Sequence, residues 1–136
     1  MSGVRSASAP WVTWSYRALG LLHASFWLVS AYAAAEAGRL FGNDAWPYQA
    51  GLFGLSGGLG LAAGVLGPSR RRRLGVVLWA TAAVIGLMVT AGYAVSQGPT
   101  TERLVDLAIA TFPPALALLL LRRARRSSPG TTPPRG

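Results

Sequence analysis

The sequence predicts an all-α, polytopic membrane protein: an antiparallel four-transmembrane-helix bundle with its N- and C-termini on the cytoplasmic side. Three observations carry this. Four apolar stretches, at about 13–35, 49–67, 75–96 and 104–121, are each long enough to cross a hydrocarbon core, which needs roughly 20 residues of helix. Two arginine blocks, Arg70-Arg71-Arg72-Arg73 and Arg122-Arg123 with Arg125-Arg126, each close such a stretch. The connections between stretches are short, so successive helices are neighbours running in opposite directions.

The arginines also set the expected orientation, because short cytoplasmic loops carry an excess of Arg and Lys. With both blocks inside, four crossings put the N-terminus inside as well, in agreement with Arg5 and Arg17. The opposite loops, 36–48 and 97–103, hold Glu36, Arg39, Asp44, Glu102 and Arg103. The formal charge of +9 therefore has a placement that disfavours nucleic-acid binding. Most of the arginines sit just beyond helix ends, where they orient the chain and meet anionic lipid headgroups. Every basic residue is Arg, which with the abundance of Ala and Gly points to a GC-rich bacterial genome and a bacterial cytoplasmic membrane. The chain has no cysteine, so disulfides, thiolate metal sites and iron–sulfur clusters are excluded.

Residues 1–12 read as a polar cytoplasmic segment. The apolar span that follows, with Trp11 and Trp14 at its edge, is unlike the short core of a cleavable signal peptide and is expected to remain. In the first helix Tyr16, His23 and Ser30 recur every seven residues and Trp27 follows His23 by four, so they share a face that must meet protein rather than lipid. His23 is either a haem ligand or proton-relay group, or a neutral histidine bonded to a neighbouring helix, the second being the preferred reading. As the only histidine, it would ligate a bis-histidine haem only in a dimer.

The second helix carries a glycine ladder: Gly57, Gly60, Gly64 and Gly67, with Gly54 and Gly58 beside it. Missing side chains let helix backbones approach, which is how packing is driven in lipid, where the hydrophobic effect is absent. The partner is another helix of this chain or a second copy. In the third helix Thr90 and Tyr93 share a face that continues to Gln97, and Trp79 near its start reads as an interfacial anchor. The fourth helix holds Asp106 about one turn from its outer end and Pro113-Pro114 in its middle. The two prolines lack N–H groups, so they free the carbonyls of Ile109 and Ala110 and are expected to kink the helix. Residues 122–136 read as a basic, disordered tail, ending in a segment rich in Ser, Pro, Gly and Thr.

An ionisable group inside a membrane segment is a functional candidate by default. Asp106, Glu36, Arg39 and Tyr93 gather at the outer ends, and His23 lies deeper; together they are the candidate ligand or proton site. The alternative is local ion pairing, since Glu36 and Arg39, and Arg103 and Asp106, stand at i, i+3. No metal cluster or catalytic set can be assembled from the residues present.

The run from Gly51 to Gly67, the basic turn Arg70–Arg73, the long apolar helix after it and the Gly98-Pro99 loop together resemble small bacterial four-helix membrane proteins of the DoxX-like kind, over roughly residues 15–123. Such proteins often place a carboxylate two residues before the paired glycines of the second helix; here Leu55 holds that place and Ser56 precedes Gly57-Gly58. The resemblance implies the four-helix fold and an association with redox-linked membrane complexes.

Two function classes follow. One is a non-catalytic accessory or assembly subunit of a membrane complex, working with other membrane subunits or as a homo-oligomer and needing no cofactor. The other is a small transporter or a quinone- or proton-handling protein that uses the polar site around Asp106. Multidrug exporters of this size carry their essential carboxylate in mid-helix of the first span, whereas Glu36 lies near the outer end beside Arg39.

Overall fold

The computed structural model describes residues 9–42, 44–98 and 100–126. These form four α-helices in sequence: α1 (Pro10–Phe41), α2 (Trp46–Arg70), α3 (Arg72–Gln97) and α4 (Thr101–Arg126). Each is long and apolar enough to span a membrane. All four extend beyond the apolar stretches read from the sequence, because the polar flanks continue the helices instead of ending them. In particular α4 runs on through Arg126, so the first part of the expected tail is helical; residues 127–136 lie outside the described part, as do 1–8.

The helix ends follow from local chemistry. Pro10 opens α1, where a missing N–H costs nothing and φ is preset. Gly42 closes it in the left-handed conformation (φ 66°, ψ 35°), and its N–H bonds the Gly38 carbonyl. At the other end of α2, Gly67 leaves helical geometry with φ 72° and ψ 171°, a conformation suited to glycine just before Pro68. That break turns the chain into α3.

Between α1 and α2 the contacts descend in an antiparallel ladder: Gly38 against Trp46, Ala31 near Gly54, Trp27 against Gly57, His23 against Gly60 and Gly20 against Gly64. A methyl group at Gly20 would stand 2.8 Å from the Gly64 Cα, and one at Gly60 would stand 2.5 Å from the His23 ring. This is the closest pairing in the bundle, and it exists because side chains are missing on both partners. Farther round, α3 and α4 pack with Gly86 against Ala110 and Gly75 near Leu121, and α4 closes on α1.

The interior is aromatic. Tyr16, Ala63, Trp79, Ala117 and Leu121 form a cluster toward the arginine-rich end, and Trp27, Phe53, Val89 and Ala110 form another toward the far end. Trp79 is fully buried, edge-on to Tyr16 and to His23, so it is a core residue and not the interfacial anchor that its sequence position suggested. Outward, Leu21, Val29, Val65, Met88, Phe112 and Leu119 are exposed. An apolar surface of this kind on a four-helix bundle is what contact with lipid requires.

Candidate functional site

Two polar assemblies are built into the bundle, one at its centre and one at the end away from the two arginine blocks. The central one begins at His23, which is completely buried. Its Nε2 lies 3.2 Å from the Ser56 hydroxyl of α2, and that hydroxyl donates to the Ala82 carbonyl of α3 at 3.0 Å. Serine has a single hydroxyl proton, and Ala82 takes it; Nε2 must therefore carry the proton in its bond to Ser56. Nδ1, the other ring nitrogen, has no hydrogen bond among the described residues. The polar group that approaches the ring from α4 is the backbone of Ile109, whose carbonyl Pro113 leaves without its usual helical donor. His23 thus stands where all four helices meet.

The ring is also enclosed. Trp27 and Trp79 lie edge-on to it at centroid distances of 6.1 and 5.4 Å, and its Cδ2 edge faces Gly60. Nε2 is engaged, and although Nδ1 has no hydrogen bond among the described residues the whole side chain is buried, so the ring as packed leaves no space for a haem and the surroundings do not fit that group.

The second assembly lies between the far ends of the helices. Arg103 and Asp106, one turn apart on α4, form a salt bridge of 3.0 Å with side-chain exposures of 18% and 19%. The Arg103 guanidinium also lies over the Tyr93 ring, 4.3 Å from its centroid. Tyr93 in turn stacks on Phe53 at 6.0 Å with the rings nearly parallel, and Phe53 stacks on Trp27. Arg103, Asp106, Tyr93 and Phe53, with Phe26, Ser30 and Glu102, line a cleft of about 610 Å³. It can accept a flat or elongated apolar molecule with one polar end, in the size range of small-molecule sites.

Of the site residues expected from sequence, the structure brings Tyr93 and Asp106 together with Arg103. Glu36 and Arg39 form a separate pair at 3.6 Å, more exposed, and neither lines the cleft. His23 does not line this cleft and lies behind it, edge-on to Trp27, on which Phe53 stacks. Ser30 donates to its own helix at the Phe26 carbonyl, and Thr90 likewise to Gly86. The prolines of α4 are buried within a continuous helix. Among the ladder glycines, Gly57, Gly60 and Gly64 meet α1, Gly54 only grazes Ala31, Gly58 faces open space, and Gly67 is the chain turn. At the opposite end Arg72, Arg122, Arg125 and Arg126 converge on one cleft, Arg71 and Arg73 are exposed, and Arg123 lies over Trp11 at 5.1 Å. Arg70 ends α2.

Sequence reasoning passed over Ser56, Gly20 and the role of Trp79. The signal for Gly20 was present, since a glycine three before His23 on the polar face of α1 is the natural partner of a glycine ladder. Among the described residues no group of His, Asp and Glu is placed to hold a metal ion. No protein-family model matches the chain, and no curated protein or solved structure does either.

Proposed function

We propose that this chain is a non-catalytic integral membrane protein, an accessory or assembly subunit of a membrane complex, with the arginine-rich end on the cytoplasmic side. The observation that carries this reading is the Arg103–Asp106 bridge at 3.0 Å. A carboxylate that binds protons or cations from the membrane has to be free to exchange partners, whereas Asp106 is already neutralised by an arginine on its own helix, itself braced on Tyr93. Two buried hydroxyls are engaged in the same way: that of Ser56 joins α1 to α3, and that of Thr90 bonds its own helix. Such a molecule offers shape and surface. Purification in a mild detergent tests the proposal: the chain should elute with other membrane subunits in fixed stoichiometry and without visible absorbance. A lone monomer carrying a stoichiometric chromophore would overturn it.

A second reading is favoured by the cleft itself. Phe26, Phe53 and Tyr93 line it together with the Arg103–Asp106 pair, a combination of aromatic and charged groups suited to a quinone-like headgroup. Organic extraction of the purified protein and mass analysis separate the two readings, since only this one requires a bound quinone at about one per chain.

A further inference from the structure

Arg72 opens α3, and Arg122, Arg125 and Arg126 lie in the last turns of α4; together they line an open cleft of about 460 Å³. The three α4 residues stand at i, i+3 and i+4, which places them on one face of the helix. No carboxylate side chain balances them. The four acidic residues of the chain are Glu36, Asp44, Glu102 and Asp106, and all belong to the opposite end of the bundle. The Nε of Arg72 is buried and has no hydrogen-bond partner among the described residues. Moreover, the N-cap residue of α3, Arg71, makes no side-chain capping hydrogen bond, so this helix start carries its positive dipole end uncapped.

Like charges brought together in this way repel, and a buried guanidinium N–H without an acceptor is costly, so the cleft is complete only with an anion in it. We propose that it is a specific site for a phospholipid headgroup bearing two phosphates, of the cardiolipin type. Guanidinium groups grip phosphate through paired N–H donors, and four of them suit two phosphates better than one. Depth and surroundings favour a lipid over a soluble anion. Arg123, next to the cleft residue Arg122, lies over Trp11, and Trp11 and Trp14 are exposed in the manner of an aromatic belt at headgroup level. Within one turn of the arginines, Leu74, Val76 and Leu119 are exposed and offer an apolar path for acyl chains. The proposal rests on the membrane-spanning bundle and is independent of the accessory-subunit role.

The test uses the full chain in phosphatidylcholine nanodiscs doped with cardiolipin or, at equal total lipid charge, with phosphatidylglycerol, followed by native mass spectrometry of the protein released from the discs. One cardiolipin should remain per chain and phosphatidylglycerol should be lost. Arg72→Gln or Arg126→Gln should lower retention by about fivefold or more, while Arg73→Gln, exposed and outside the cleft, should leave it unchanged. Arg72→Lys keeps the charge and removes the fork, so it should lower the preference for cardiolipin in a chain whose thermal unfolding is unaltered. Equal retention of the two lipids, or an equal fall in Arg73→Gln, would mean diffuse attraction and overturn the site. Displacement of cardiolipin by micromolar pyrophosphate would mean a free-phosphate site and overturn the lipid assignment.

Discussion

His23 on α1 and Ser56 on α2 are joined by a hydrogen bond of 3.2 Å, and through the Ser56 hydroxyl the tie extends to the Ala82 carbonyl of α3. In a membrane interior such a link matters for register more than for raw stability. Polar contacts between membrane helices contribute about 0.6 kcal/mol on average, because partly unfolded chains in the bilayer find other partners. A misaligned bundle, however, would leave a buried imidazole and a buried hydroxyl unmatched, and each unmatched group costs about 1–3 kcal/mol.

From this follows the first expectation. Ser56→Ala should lower the unfolding free energy in detergent by about 1 kcal/mol, whereas Ser25→Ala, on the exposed face of α1, should be neutral. Identical unfolding curves for wild type and Ser56→Ala would show that the bond contributes nothing.

Gly60 and Gly64 face α1 at distances that leave no room for a side chain. Gly60→Ile and Gly64→Ile should therefore cost about 1–3 kcal/mol or prevent assembly, as overpacking does, and Gly20→Ile should match them. Ala62→Ile, pointing outward, should be tolerated, and Gly58→Ala should be neutral or stabilising by up to about 1 kcal/mol through helix propensity. Thermal stability of the five variants in one detergent is the measurement; a uniform response would place the glycine face in lipid.

The contrast between these positions shows what was legible in the sequence. Length and apolarity identified four spans, and i, i+3 spacing identified the Arg103–Asp106 and Glu36–Arg39 pairs, because both signals are local. The rotation of each helix was harder to read. In water the buried face of a helix is the apolar one, but in lipid both faces are apolar and the usual contrast fades. Hence Trp79, read as an interfacial anchor, is at the centre of the core, and Gly58, read as packing, faces outward. Ser56 was passed over for a related reason: a single hydroxyl in a glycine-rich helix has no periodicity, and its importance depends on His23 arriving from another helix.

Orientation is open to a labelling test. With Asp44→Cys and Ser69→Cys introduced singly into a chain that has no cysteine, an impermeant maleimide applied to intact cells should modify the first and spare the second. The reverse pattern would invert the bundle.

The Arg103–Asp106 bridge supplies the last expectation. Its side chains are about four-fifths shielded, so its worth lies between that of exposed pairs, up to about 1 kcal/mol, and of buried pairs broken on one side, about 3–5 kcal/mol. Asp106→Asn should therefore destabilise the protein by about 1–3 kcal/mol, mainly by leaving Arg103 without its counter-charge. Arg103→Gln should cost a similar amount, and in addition the contact with the Tyr93 ring. In the double variant both charges are gone and much of the loss should return, giving a coupling of about 1 kcal/mol or more in a double-mutant cycle. Additive losses would mean that the two groups act separately, and a stable Asp106→Asn protein that loses a bound cation or quinone would make the carboxylate a binding group. Strong coupling with no change in bound small molecules would instead support the accessory-subunit reading, in which Asp106 holds Arg103 over Tyr93 and keeps the far end of α4 against the bundle.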